Sequence, residues 1–418
     1  MDNREFSAIL SVAVKSNSSD IILIPGQKPT LRAFGNFIEL ATENLTAEDT
    51  NWIAEHVMQG RGTDWAKFTQ AEVSYEEKGL GRFRVSICQS RYQKLIAIRV
   101  IPTQTRTFNE LNLPQQVVHL ANLERGLVLV TGATGQGKST TVSAMLEEIN
   151  QNRKAFVLTI EDPIEFIYEP NQALIGQREI GEDATSYKDA IRHALRQRPN
   201  AIFVGEIRDA ETFEAVLTAA ETGHLVFSTM HTTDVATTIN RILSFYPEAE
   251  RESVRLRLSN SLGAILTLRL LKRRVPTIDG KIPQLCLIPA CELMVSSPTI
   301  KESIKSSSLD KTNDRTNTEK LGSPSNVDVE LEQASLGRAT TLPTIETIIE
   351  REGRALLTGG NPTMFNFDQY ICYLLQKGEI DLATAKAAAT RPDEVERYDI
   401  LQGNQVVKSD PSKRKLKY

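Results

Sequence analysis

Short apolar runs, each followed by a polar or periodic stretch, recur along most of the chain, and their spacing changes near residue 105. Before that point the pattern predicts a mixed α/β domain without nucleotide chemistry. Phe6–Val14 has helical spacing, and Ile21–Ile24 reads as a strand stopped by a Pro25-Gly26 turn. Thr46–Met58 is expected to be helical, with Thr46 as N-cap and Glu48 as an early acid. Strand-like runs follow at Glu72–Tyr75, Gly81–Cys88 and Leu95–Val100. Pro102–Pro114, with its two prolines and several Thr and Asn residues, reads as the interdomain connection, with 106–114 as the hinge.

From 115 to 304 the apolar runs alternate with helical patterns, which implies a parallel sheet with crossover helices. The predicted strands are Leu127–Thr131, Phe156–Ile160, Ala201–Val204 and Leu225–Met230. Between the last two, Asp209 caps a helix whose buried stripe is Phe213, Val216, Leu217 and Ala220, and Gly223 closes it. Leu256–Leu271 is expected to be a further helix with one apolar face. Residues 305–342 are rich in Ser, Thr, Asn and Asp and poor in apolar side chains, and so predict a disordered insertion. Phe365–Leu375 and Ile380–Ala389 form a helical pair within a C-terminal part spanning 343–400, and 401–418 is a basic tail.

Bulk properties narrow the class. A chain of 418 residues with a formal charge of −4 is large enough for two or three domains and has no global nucleic-acid signature. No apolar run is long enough to predict a membrane span, and the N-terminus does not read as a secretory signal. The scattered Cys88, Cys286, Cys291 and Cys372 form neither a disulfide framework nor zinc knuckles, so a reducing cytoplasmic setting is expected.

The strongest chemical signal is the run Gly132-Ala133-Thr134-Gly135-Gln136-Gly137-Lys138-Ser139-Thr140, set between a predicted strand and a predicted helix. This is the Walker A phosphate-binding pattern. Its glycines allow backbone N–H groups to turn inward, Lys138 reaches the outer phosphates, and the Ser139 hydroxyl is placed to ligate Mg²⁺. The chain is therefore expected to bind ATP with Mg²⁺. The strand Ala201–Val204 runs into Gly205-Glu206, which puts a carboxylate at the sheet edge where ligands of open α/β folds sit. Glu206 either serves the metal and the attacking water or pairs with Arg208 on the surface. Phe156–Ile160 leads into Glu161-Asp162-Pro163-Ile164-Glu165, where Glu161 and Glu165 are both candidates for general base or outer metal contact. His224 and His231 bracket Leu225–Met230 at a spacing that does not suit zinc; His231 can serve as a γ-phosphate sensor or as a structural residue.

These boxes, in this order, resemble the secretion-type ATPases of the RecA-like class, above all the type IV pilus retraction ATPases of the PilT and PilU type. The carrying segments are RGLVLVTGATGQGKSTT at 125–141, LTIEDPIEF at 158–166, DAIRHALRQRPNAIFVGEIRDAET at 189–212 and AAETGHLVFSTMHTTD at 219–234. SSDIILIPGQKPTLRAFG at 18–35 and GRFRVSICQSR at 81–91 look like that family's PAS-like N-terminal domain. The resemblance implies a cytoplasmic homohexamer, peripheral at the inner face of the membrane, that works on an inner-membrane pilus platform protein, beside a sister pilus ATPase in some settings. It also implies that Glu206 is the Walker B glutamate, Glu165 the catalytic glutamate, and His224 with His231 the His-box pair. Arg82 and Arg84, with Arg99, would reach bound phosphates from the N-terminal domain; on the residues alone, such alternating arginines face solvent just as well. Two departures bear on mechanical output. The family's short retraction motif appears as Thr299-Ile300-Lys301-Glu302-Ser303-Ile304-Lys305, without its arginines, and the 305–342 insertion follows directly. The missing paired CxxC motifs and long N-terminal extension argue against the extension and secretion branches. A nucleic-acid translocase would want a basic, aromatic-lined channel, which the sequence does not suggest, so no nucleic-acid partner is expected.

Overall fold

The computed structural model describes residues 1–402 except 17, 34–35, 60–63, 66–67, 102–104, 276–283 and 307–342. The expected insertion from 307 onward and the tail from 403 lie outside the described residues. Two compact units divide the chain. One comprises Met1–Thr105 with Glu161–Pro170, and the other Arg106–Ile160 with Asn171–Tyr418. The division differs from an unbroken 115–304 domain, because the acidic segment after Ile160 groups with the first unit.

The first unit is built from α1 (Asn3–Lys15), β1 (Asp20–Leu23), β2 (Thr30–Ala33), β3 (Asn36–Glu39), α2 (Ala47–Val57), β4 (Gln70–Glu77), β5 (Gly81–Ser90) and β6 (Gln93–Val100). Its six strands form an antiparallel sheet in the order β3-β2-β1-β6-β5-β4. Side chains alternate across such a sheet, so Phe83, Val85 and Ile87 enter the core with Phe6 and Leu10 of α1 and Ile53 of α2. Thr46 caps α2 through its own hydroxyl, in a capping box with Asp49.

The second unit opens with α3 (Gln115–Ala121), β7 (Gly126–Thr131), α4 (Lys138–Asn152), β8 (Phe156–Glu161), β9 (Leu174–Glu179), α5 (Tyr187–Gln197) and β10 (Ala201–Val204). It continues with α6 (Ala210–Glu221), β11 (Leu225–Met230), α7 (Val235–Ser244), α8 (Glu248–Ser261), β12 (Leu262–Val275), β13 (Gln284–Val295) and α9 (Pro298–Lys305). Four C-terminal helices follow: α10 (Ile345–Leu357), α11 (Phe367–Gln376), α12 (Leu382–Ala388) and α13 (Pro392–Gln402). The sheet order is β13-β12-β7-β11-β10-β8-β9, with β12, β7, β11, β10 and β8 parallel and β13 antiparallel to β12. Every residue of β11 is buried, as expected for a parallel strand covered on both faces.

One expectation is overturned. Leu256–Leu271 is not a single helix: α8 ends at Ser261 and β12 begins at Leu262. β12 lies between β7 and β13, so Leu262, Ala264, Ile265, Leu266 and Leu268 are all buried. A strand buried on both faces reads as a continuous apolar run, which periodicity does not separate from a buried helix. Gly263 sits at a shift of register against β7, and a Cβ there would meet Leu123 Cδ1 at 3.3 Å.

Candidate nucleotide site

The C-terminal ends of β7, β8, β10 and β11 lead directly into the four predicted boxes. Parallel pairing brings those ends to one edge of the sheet, where ligands of open α/β folds bind. Gly132, just after β7, has φ +144, and a Cβ on it would stand 2.7 Å from the carbonyl oxygen of Leu268. Only glycine lets the loop pass this close to β12. Gly135 and Gly137 also have positive φ, at +79 and +86, which turns the intervening amides toward the loop's interior.

Gly137 is the N-cap of α4, and no side chain caps that helix. In contrast, Ser186, Asp209 and Asp234 each accept a backbone N–H at the starts of α5, α6 and α7. A helix N-terminus without a side-chain cap suits an anion. Lys138 is buried, and its Nζ donates to the carbonyl oxygens of Gly132 at 3.0 Å and Ala133 at 3.1 Å. Gln136 Oε1 accepts the Leu270 N–H at 2.5 Å, which ties the loop to β12. Ala133, Thr134 and Gly135 are exposed at the loop's mouth, while Ser139 and Thr140 are half-buried in the first turn of α4.

A polar chain runs from the loop to Glu206. Lys138 Nζ lies 3.3 Å from His231 Nδ1, and Thr134 Oγ1 lies 3.4 Å from the same nitrogen. An ammonium only donates, so Nδ1 is the acceptor and Nε2 carries the proton. His231 Nε2 is 3.0 Å from Glu206 Oε1. The other carboxylate oxygen, Glu206 Oε2, accepts from Arg208 at 2.9 Å. Glu206 thus pairs with Arg208 through one oxygen and contacts His231 through the other.

His224 does not join this chain. It precedes β11, roughly 20 Å from His231 along the strand, and its Nδ1 lies 3.2 Å from the Ala219 carbonyl and 3.1 Å from Thr222 Oγ1. In its own chain it belongs to the opposite edge of the sheet. Within the first unit, Glu161 is buried and its carboxylate accepts the backbone N–H of Glu165 at 3.2 Å, while Glu165 itself is exposed. Arg84 pairs across the sheet with Arg99, and Arg82 stands two residues away on the same strand. All three therefore share the face opposite Phe83 and Val85. Arg84 is bonded to Glu72 and Arg99 to Asp20.

The model of the "Type II/IV secretion system protein" family matches residues 7–292. The type IV pilus retraction ATPase PilT of Pseudomonas aeruginosa is 37% identical over 302 residues, covering 72% of this chain and 85% of that one. PilU of the same organism, a type IV pilus ATPase, is 36% identical over 278 residues, covering 66% of this chain and 72% of that one. A crystal structure of the pilus retraction motor PilT with bound ADP superposes with a TM-score of 0.73 at 33% identity, over 95% of this chain and 99% of that one. The chain belongs to the PilT/PilU-type family of secretion ATPases.

For a PilT/PilU-type chain, the architecture is a RecA-like ATPase domain with a helical C-terminal region. The residues missed by sequence reasoning are those of β12: Leu268 and Leu270 form the wall against which Gly132, Gln136 and Gly137 pack. Their apolar run reads as part of a helix, and only the pairing of β12 with β7 brings them to the loop. Ser139, half-buried in the first turn of α4, and Glu206, bonded to His231 and Arg208, offer oxygens of the kind Mg²⁺ takes from protein before phosphate and water complete its shell. Among the described residues, no helix is long and apolar enough to cross a membrane.

Proposed function

We propose that this chain is a Mg²⁺-dependent ATPase working as a homohexamer that drives type IV pilus retraction, the filament disassembly behind twitching motility. The observation that supports it best is the continuous chain Lys138–His231–Glu206 beside an uncapped helix start. The loop amides and Lys138 hold the triphosphate, and His231 is placed to register its outer phosphate. Glu206, with Glu165 from the acidic box and Glu161 behind it, orients the water. Ser139 and Glu206 would hold Mg²⁺, which would neutralise phosphate charge when bound.

The first unit is read as PAS-like, its Arg82, Arg84 and Arg99 are read as phosphate contacts of the assembled ring, and His224 is read as the second histidine of the family box. The ring is cytoplasmic, peripheral at the inner face of the membrane, and turns an inner-membrane platform protein.

Lys138→Ala and Glu206→Ala tests this reading in purified full-length protein. Each is expected to keep the wild-type melting temperature while phosphate release falls by roughly 10²–10³ or more. Wild-type release from either variant refutes the assignment. A second reading, an accessory ring subunit that modulates a sister motor, is favoured by α9. It keeps Ile300 and Ile304 buried and carries Lys301, Glu302 and Lys305, without the family's arginines. A gene deletion separates the two: surface filaments accumulate if the chain is the retraction motor and stay unchanged if it is accessory.

A further inference from the structure

Thr131, the last residue of β7 and the root of the phosphate loop, pairs with Thr267 of β12, which pairs in turn with Glu292 of β13. Residues paired this way present their side chains to one face of the sheet. Thr131 Oγ1 donates to Thr267 Oγ1 at 2.8 Å. Glu292 is only 8% exposed, and its Oε2 accepts the backbone N–H of Val235 at 2.9 Å. Val235 is the first residue of α7, whose N-cap is Asp234. The approach to that helix is tied internally: the Thr232 and Thr238 hydroxyls lie 2.7 Å apart, and Thr238 Oγ1 donates to the Asp234 carbonyl at 2.7 Å. The circuit closes at His231, whose Nδ1 is 3.3 Å from Lys138 Nζ. A buried carboxylate is costly to desolvate. Here it meets the N-terminus of a helix, where an anion is favoured.

We propose that Glu292 is a positioning residue for the nucleotide site. It clamps the first turn of α7 to the strand row that carries the root of the phosphate loop, and so sets the separation of His231 from Lys138. The inference rests on reading His231 as facing the outer phosphate. Glu292 touches no reacting atom. Without the clamp the first turn of α7 frays and His231 leaves its position, while the loop amides and Lys138 still bind nucleotide. Turnover then suffers more than affinity.

The test uses the full-length protein with Glu292→Leu, which removes the acceptor, and Glu292→Gln, whose amide oxygen can still accept the Val235 N–H. Glu292→Leu is expected to lower kcat about tenfold or more, with KM for Mg-ATP changed by less than about threefold. Amide hydrogen exchange over residues 231–240 should also quicken. Glu292→Gln should restore both toward wild type. If Glu292→Leu does not fold, Glu292→Asp, one methylene too short to reach Val235, carries the same expectation. Wild-type kcat or unchanged exchange in the variant lacking the acceptor overturns the proposal, as does a glutamine variant equally impaired. Full turnover by His231→Ala would sink the phosphate-facing role of His231 alone, since the exchange comparison judges the clamp independently of catalysis.

Discussion

The two sheets of this protein solve burial in opposite ways. In β5 of the antiparallel sheet, Phe83, Val85 and Ile87 are buried and the residues between them are not. In β11 of the parallel sheet, all six residues are buried. A sheet packed on one face keeps the other for polar side chains, and Arg82, Arg84 and Arg99 occupy that face. A sheet covered on both faces has no room for chemistry along its strands, so its functional groups collect where strands end: Lys138 after β7, Glu206 after β10, His231 after β11. Burial pattern thus steers where each sheet carries charge, with the buried Glu292 of β13, bonded to the Val235 N–H, as the exception.

The largest expected effect breaks or confirms this contrast directly. Phe227 and Met230 sit an odd number of residues apart on β11 and so face opposite sides of the sheet, both buried. Phe227→Ala should cost about 3–5 kcal/mol and Met230→Ala about 2–5 kcal/mol by denaturant unfolding. On β5 only alternate positions should be that costly, with Phe83→Ala in the same range as Phe227→Ala. If either β11 substitution proved nearly neutral, that face of the parallel sheet would not be packed as described.

The same contrast explains what could be read from the chain in advance. Alternation made β5 and β6 legible, and the phosphate loop was legible because its glycines, lysine and serine are contiguous. Asp209 and Gly223 marked the ends of α6 by local capping chemistry, observed as the Asp209 side chain accepting Thr212 N–H and Gly223 at φ +94. β12 was not legible, because a strand buried on both faces loses the alternation that would identify it. Nor was the meeting of Arg84 with Arg99, which depends on cross-strand register; the parting of His224 from His231 was legible, because the two bracket the predicted strand Leu225–Met230. Glu292 carried no signal at all: its role arises from three strands pairing in one row.

A middle-sized effect follows from burying an acid in the parallel sheet's edge pair. Burial pushes the Glu292 carboxyl up to about 7; the Val235 N–H and Arg269 pull it down, and Asp234 and Glu346 push it up. The folded chain therefore holds this proton more tightly than the unfolded chain does. The resulting stabilisation is full below the ordinary carboxylate range, declines as pH rises toward about 7, and levels off above it. The shift amounts to a loss of the order of 3 kcal/mol across that window. Glu292→Gln should flatten this part of the stability–pH curve. An unchanged slope in the glutamine variant would mean that some other group titrates there.

The smallest expected effect on stability comes from the open face of the first sheet. Arg84 and its partner Glu72 are 37% and 60% exposed, so their ion pair should contribute no more than about 1 kcal/mol. Arg84→Ala should accordingly leave the unfolding midpoint nearly unchanged, as should Glu72→Gln. Turnover is where the two substitutions should part. If Arg84 meets phosphate in the assembled ring, its removal should cost on the order of 10³ in rate, as for an arginine finger, whereas Glu72→Gln should leave turnover near wild type. Comparing kcat for the two variants at matched stability therefore decides what the open face is for. A rate loss confined to Arg84→Ala marks that face as catalytic, and equal rates in both variants mark it as merely solvated.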